Sequence, residues 1–541
     1  MKQYKPISVP SKKVELSLVC LAIHSIDKNR AMPIWRHSLA FAYLQAFLTT
    51  SNSYPRLYFH NLNHYESDRI EEMVNVVVGI HPNVLAVSCY IWNIGMVREL
   101  LPKVRLKIPD ILIVVGGPEF HQSNAKEVLK NNPAIDFIVI GEGEQVFKDL
   151  VEVLAGESFA SLDSIDGLAY RNSNDRIVMN KPRQFITRLD DIPSPYQLKV
   201  IGLIEMQQDM LAIETQRGCI HNCAYCNYNK GLSKLRFFSF HRVCSDLEMI
   251  LLKNPRQLYL MDPTFNSDGN RAKMILKRII EIKLKTGAKT RLNAEMYPEN
   301  LDAELLELCE KAGMNALEVG IQSHAKKTLQ IMGRGRDAKK LSHNLDLATK
   351  MRMRIIPQII LGLPGDTSAS FYDTFDKIYD LPIDDMQIFH LSILPGTGYR
   401  TQGQKLGLTW SNSAPYHVTS TKNLTEKDIS HLGIFRDLAL FSLPMKKIIT
   451  LIGKKMNGAH HKVFCQFIEK NPDAISRINW PCYSDIDIKN GKKLITLFYN
   501  YVKDLLHKYQ MIESDVIDEA EMGSLDMNDL LDLRQATLSK N

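Results

Sequence analysis

From Val14 to about His390, short apolar runs of β-rich composition alternate with longer stretches of helical spacing, and this alternation confines the chain to α/β folds built on parallel sheets. The first series comprises VELSLVCLA, RLYFHNL, VLAVSCY, ILIVVGG and FIVIGEGE, with helical spacing over Asp68 to Val78, Met96 to Lys107 and Gln145 to Leu154. The second comprises LAIETQRG, QLYLMD, TRLNAEM, ALEVGIQS, RIIPQIILGLPG and DMQIFHL, at a period near 30 residues. LDDIPSPYQ (Leu189 to Gln197), with Pro193 and Pro195 and few periodic apolar positions, reads as part of a connector.

The expected organisation is a doubly wound, Rossmann-like domain over 1–155, a connector over 156–208, a partial (β/α)6 barrel over 209–395 and a mainly helical region over 396–541. Apolar residues make up 45% and charged residues 23%, an ordinary globular composition. The net charge of +7 over 541 residues is too mild for a dedicated nucleic-acid binder. No run reaches the length needed to cross a bilayer, and no signal peptide is read at the N-terminus, so a cytoplasmic protein is expected. The acidic stretch Glu513 to Asp532 reads as a solvated helix or tail.

In doubly wound sheets ligands bind beyond the carboxyl ends of the strands. Three of those ends here read Ser88-Cys89-Tyr90-Ile91-Trp92-Asn93, Gly116-Gly117-Pro118-Glu119 and Gly141-Glu142-Gly143-Glu144, which together suit a large planar or phosphate-bearing ligand. No Gly-x-Gly-x-x-Gly follows the first strand, which disfavours a nicotinamide or flavin site.

The barrel carries the sharper signal. Cys219, Cys223 and Cys226 fall within eight residues just after the strand LAIETQRG, while the other six cysteines are scattered. Thiolates select zinc or iron–sulfur clusters. Three of them leave one iron of a cubane open to substrate. Zinc would need His221 or a distant cysteine as fourth ligand, and none of Cys20, Cys89, Cys244, Cys309, Cys465 or Cys482 supplies a second pair.

The C-x3-C-x2-C spacing with Tyr225 before the third cysteine resembles the radical S-adenosylmethionine (SAM) superfamily. With YIWN at Tyr90 to Asn93, GGPE, GEGE, Leu394-Pro395-Gly396-Thr397 and Pro415-Tyr416-His417, the resemblance from Val14 to His417 narrows to the cobalamin-dependent radical SAM enzymes. It implies three cofactors: a 4Fe-4S cluster on the cysteines, SAM and cobalamin. SAM contacts are implied for Tyr225, Asp262, Glu295, Gln322, Ser323 and Gly362, although Met261-Asp262-Pro263 departs from the usual Gly-Gly-Glu turn. Cobalamin contacts are implied for Ser88, Tyr90, Trp92, Asn93, Gly116, Gly117, Pro118, Glu119, Gly141, Glu142, Gly143 and Glu144.

The motif Asp-x-His-x-x-Gly, whose histidine binds cobalt from below, does not occur, and His24 is the nearest candidate. By resemblance the reaction is methylation of an unactivated carbon of a peptide or specialised metabolite, with ring contraction or oxidative cyclisation as the alternative. A non-catalytic cobalamin- or zinc-binding protein is the reading from another class. The resemblance further implies a flavodoxin- or ferredoxin-type electron donor, a monomer, and a C-terminal region that caps the site. The basic pairs Lys446-Lys447 and Lys454-Lys455 and the run His460-His461-Lys462 could attract an anionic substrate or simply form a solvated face.

Overall fold

The computed structural model describes residues 10–509 except 11, 28–31, 34–36, 67, 159, 173, 203–209, 229–234, 336, 384 and 477–487. Glu513 to Asp532 therefore lies outside the described residues. Two sheets organise the fold. In the first, β1 (Leu16–His24), β2 (Leu57–Tyr65), β3 (Val84–Ser88), β4 (Leu112–Gly116) and β5 (Phe137–Val139) are parallel, in the order β2-β1-β3-β4-β5. Strand order reverses between β1 and β3, and the crevice at such a switch point is where doubly wound sheets take their ligands.

Part of the segment expected as a connector is built into this sheet: β6 (Leu168–Arg171) and β7 (Ile177–Met179) form an antiparallel hairpin on the β5 edge. The Pro193–Pro195 stretch is stitched to the second domain instead. Ser194 Oγ donates to Asp246 Oδ1 at 2.6 Å, and the fully buried Tyr196 hydroxyl donates to the Ala212 carbonyl.

The second sheet runs β8 (Met210–Ile213), β9 (Gln257–Leu260), β10 (Arg291–Met296), β11 (Met314–Gln322), β12 (Ile355–Leu361) and β13 (Gln387–His390), all parallel and in sequence order, as a partial barrel requires. Alternate residues point to opposite faces. Leu292, Ala294 and Met296 join the core under the outer helices, which leaves Asn293 and Glu295 on the inner face.

Helix Leu39–Leu48 is apolar nearly all round because it is covered on both sides. Phe41 and Leu48 pack into the first sheet's core, whereas Ala42, Tyr43 and Phe47 pack into the core of the barrel.

Beyond β13 the described chain is mainly helical: Glu426–Phe441, Lys446–Lys455, His461–Lys470 and Ile488–Lys508. These helices pack on the barrel's flank through Phe371, Phe375, Phe435 and Phe464. Two members of the basic run are held against carboxylates rather than left to solvent. His460 Nε2 lies 2.7 Å from Asp380 Oδ1 and His461 Nδ1 lies 2.5 Å from Asp376 Oδ2, on the helix Ser368–Tyr379 and its cap.

Candidate functional site

Strand β8 delivers the chain to the cysteine loop through a fixed turn. Asp262, fully buried, accepts hydrogen bonds from Thr215 N at 2.7 Å, Thr215 Oγ1 at 2.5 Å and Gln216 N at 3.1 Å. Burial pushes its carboxyl up to about 7 against these bonds. Its oxygens are committed to the backbone entering the loop, so its place in the site is to position that loop.

The cysteine loop is clasped from both sides. Ala224 N donates to the Met332 carbonyl at 2.9 Å and Tyr399 N donates to the Ala224 carbonyl at 2.8 Å. Cys223 is buried, Cys219 and Cys226 are half-buried, and none is in a disulfide. His221 N lies 3.4 Å from Cys219 Sγ, and Tyr228 N lies 3.5 Å from Cys226 Sγ. Amides directed at sulfur are the support that cluster ligands take from a fold.

Burial drives the Cys226 thiol up to about 12 and raises that of Cys223, so these side chains ionise on binding metal rather than before it. Among the described residues no three His, Cys, Asp or Glu side chains converge on a single-ion site. Three thiols spread along one loop fit a polynuclear cluster.

Arg334 is a site residue that the sequence reading passed over. Its Nη2 donates to the Gly320 carbonyl at 2.9 Å and its guanidinium lies 5.6 Å over the Tyr297 ring. It also opposes the rise of the Cys223 thiol and stands beside Tyr225, which is hydrogen-bonded to Cys223. The only signal was Gly333-Arg334-Gly335 after a short helix, with nothing nearby to mark it as a neighbour of the cysteines.

The later strand ends divide into two kinds. Gln322 sits at a bulge with φ of 66°, and its buried Oε1 has no hydrogen-bond partner among the described residues. Glu295 accepts no hydrogen bond from any described residue, and burial followed by the Glu318 charge pushes its carboxyl up to about 7. Both fit a polar ligand. Ser323, by contrast, is spent on Asp366 at 3.3 Å and on Ala325 N at 3.1 Å. Gly362, at φ of 87°, has no room for a Cβ, which would lie 2.5 Å from Val418 Cγ1. Its smoothness serves packing of the C-terminal segment.

On the first sheet, Trp92 Nε1 and Asn93 Nδ2 both donate to the Ile23 carbonyl, at 3.1 and 3.0 Å, across the β1/β3 switch point. Asn93 also bonds Ser88 O and Tyr90 N, so it shapes the loop. Tyr90 and Trp92 stack at 4.4 Å, with Trp92 43% exposed, and present a flat aromatic face at the rim. Gly117, at φ of 112°, lets its loop touch Cys89, whose carbonyl would lie 2.5 Å from a Cβ. Gly141 keeps open space around it.

His24 Nε2 is engaged by Asn63 Oδ1 at 2.9 Å, whereas the ring nitrogens of buried His37, before the helix Leu39–Leu48, have no hydrogen-bond partner among the described residues. An orphaned imidazole and an aromatic shelf at a switch point fit a large heterocyclic ligand.

The remaining charged residues of these loops join the domains. Glu142 accepts from Arg236 at 2.6 and 3.0 Å and from Arg217 at 3.3 Å, Glu144 accepts from Arg217 at 2.6 Å, and Gly143 packs on Leu44. Asn227, next to Cys226, reaches the Pro118 carbonyl at 3.5 Å. Buried Glu119 accepts from the Tyr416 hydroxyl at 2.7 Å.

Comparison with known proteins agrees with this geometry. Residues 36–151 match the B12 binding domain and residues 213–378 the Radical SAM superfamily. The chain thus combines a B12-binding domain with a radical SAM domain and is homologous to the cobalamin-dependent radical SAM methyltransferases. One such relative, the cobalamin-dependent radical SAM methyltransferase TokK of Streptomyces tokunonensis, is 25% identical over 61% of this chain and 50% of its own. Another, the 2-(S-pantetheinyl)-carbapenam-3-carboxylate methyltransferase of Streptantibioticus cattleyicolor, is 26% identical over 62% and 50%.

The chain spans about half the length of these relatives. Among solved structures, the cobalamin-dependent SAM radical enzyme OxsB with aqua-cobalamin and SAM bound shares the fold, with a TM-score of 0.60, 15% identity, and 96% of this chain and 84% of that one covered. The methyltransferase TsrM of Kitasatospora setae gives 0.59 at 16% identity over 74% and 78%. The two domains imply a 4Fe-4S cluster, SAM and cobalamin as cofactors. No helix among the described residues is long and apolar enough to cross a membrane.

Proposed function

We propose that this chain is a methyltransferase that moves a methyl group from SAM by way of cobalamin to a carbon of a small-molecule or peptide substrate. The observation that carries the reading is the contact between the two rims: Asn227, beside the third cysteine, touches Pro118 of the second ligand loop, while Arg217, two residues before the first cysteine, holds Glu142 and Glu144 of the third. When bound, the cluster and SAM supply a hydrogen-abstracting radical and cobalamin supplies the methyl group.

The chain's own part is positional. Cys219, Cys223 and Cys226 hold the cluster, and the clasp through Met332 and Tyr399 keeps their loop in place. Gln322 and Glu295 offer unspent polar atoms to SAM or substrate. Tyr90, Trp92 and the loops at Gly116 and Gly141 receive cobalamin. The salt-bridged interface fixes the distance between the two rims and limits water between them. An electron donor of the flavodoxin or ferredoxin type would reduce the cluster, and the protein works as a monomer in the cytoplasm.

A second reading is favoured by relatives named for ring formation, among them the anaerobic magnesium-protoporphyrin IX monomethyl ester cyclase of Cereibacter sphaeroides, 24% identical over 57% of this chain. Anaerobic purification with cobalamin supplied, metal and sulfide analysis, and then product mass spectrometry test both readings. Roughly four irons and one cobalt per chain, deoxyadenosine and a product gain of about 14 mass units support methylation. Four irons without cobalt would remove it, and deoxyadenosine without that gain would favour rearrangement.

A further inference from the structure

The inner face of the barrel carries a polar stripe across its strands. Glu295 on β10 and Glu318 on β11 are register partners, side by side on the face opposite the helix-packed core. The Tyr259 hydroxyl on β9 donates to Glu318 Oε2 at 3.2 Å, and Gln358 Nε2 on β12 lies 3.3 Å from the same oxygen and 3.0 Å from Gln387 Oε1 on β13.

Both neutral donors meet Glu318 at Oε2, and no described residue donates to Oε1. Glu295 is half-buried, lies beside Glu318 on the same inner face and accepts no hydrogen bond from any described residue. The cation nearest to it in effect, Arg334, is committed to the Gly320 carbonyl and the Tyr297 ring, and the charge felt by Glu318 is that of Asp385, another carboxylate. Neither glutamate has a salt bridge among the described residues.

Two adjacent, half-buried carboxylates repel, and a neutral hydrogen-bond donor cannot cancel that repulsion. A cation between them can. We propose that the inner face of the barrel is a receptor for a cationic nitrogen of the substrate, an ammonium or guanidinium group, seated between Glu295 and Glu318. This deepens the methyltransferase reading and rests on it in one respect, that the barrel interior is where substrate binds.

The test is read without turnover. n-Pentylammonium, agmatine, n-pentanol and valerate are titrated into the anaerobic, cluster-loaded full chain with SAM present, and binding is followed by ligand-detected NMR. The two cations bind, the alcohol and the carboxylate do not, Glu295→Gln and Glu318→Gln each weaken cation binding at least tenfold with iron content at the wild-type level, and Glu318→Gln does so with SAM affinity unchanged. Glu318→Asp, which keeps the charge, retains more cation binding than Glu318→Gln and serves where the glutamine variant loses its cluster.

Equal binding of all four probes overturns the proposal, as does cation binding that both glutamine variants leave unchanged. Loss of SAM affinity in Glu295→Gln with cation binding intact also overturns it, by assigning that carboxylate to the cofactor. A wild-type protein that binds the cations yet forms no methylated product counts against the methyltransferase reading alone.

Discussion

Tyr416 donates its hydroxyl proton to Glu119 Oε2 at 2.7 Å across 297 positions of sequence, and so ties the segment after the barrel to the second ligand loop of the first sheet. Both residues are buried, and the Arg400 guanidinium lies over the tyrosine ring at 5.5 Å. Removing the hydroxyl leaves a buried carboxylate short of a donor, which costs about 1–3 kcal/mol. Tyr416→Phe therefore lowers the thermal midpoint, and Tyr416→Phe with Glu119→Gln recovers part of the loss, because the neutral amide tolerates the missing partner better. A double variant no better than the single would show that the bond contributes little.

Arg217 faces three carboxylates at once: Glu144 at 2.6 Å, Glu214 at 3.1 Å and Glu142 at 3.3 Å. Truncating it takes the guanidinium from buried Glu144 and from Glu214, while Glu142 keeps Arg236, a loss of about 3–5 kcal/mol. Arg217→Ala is expected to open the domain interface to limited proteolysis. Arg217→Lys falls between, since an ammonium cannot serve three carboxylates with a planar fork. Wild-type protease resistance in Arg217→Ala would remove this network from the account of how the rims are held.

The alternation of apolar runs made both sheets legible, because a fully buried parallel strand such as Ile355–Leu361 has almost no choice but to be apolar. The cysteine triplet was legible for a similar reason: three soft ligands within eight residues have few other uses. The roles of Glu142 and Glu144 were not, since their arginines stand 73 to 94 residues away. Nor could sequence separate Ser323, spent on Asp366, from Gln322, whose oxygen is unspent; that difference lies in side-chain direction at a bulge. His460 and His461 read as basic because their acidic partners lie on a helix some 80 residues earlier.

Asp262 gives the turn before the cysteines a pH dependence. Its ordinary value of 3.8 is pushed up to about 7 by burial, so between those values the folded protein holds a proton that the unfolded chain has released. Stability then falls as pH rises through that window, by on the order of 4 kcal/mol if the whole shift is expressed. Asp262→Asn removes the titration, and its thermal midpoint relative to wild type should climb between pH 5 and pH 7. A gap that stays constant over that range would place the carboxylate's charge in the native state throughout.

Cys223→Ala separates the two halves of the molecule. Cys223 is the buried member of the triplet and, among the described residues, its side chain bonds on the barrel side of the interface, to Tyr225 and Arg334, while the cobalamin loops draw their support from Ile23, Ser88 and the arginine network. Removing one of three thiolates should abolish cluster assembly and with it reductive cleavage of SAM. Cobalamin retention, read from cobalt content and the visible spectrum, should remain near wild type. Equal loss of iron and cobalt would mean that the cysteine loop, through Asn227 and Pro118, carries more of the interface than its 3.5 Å contact suggests, and that the two domains do not take up their cofactors independently.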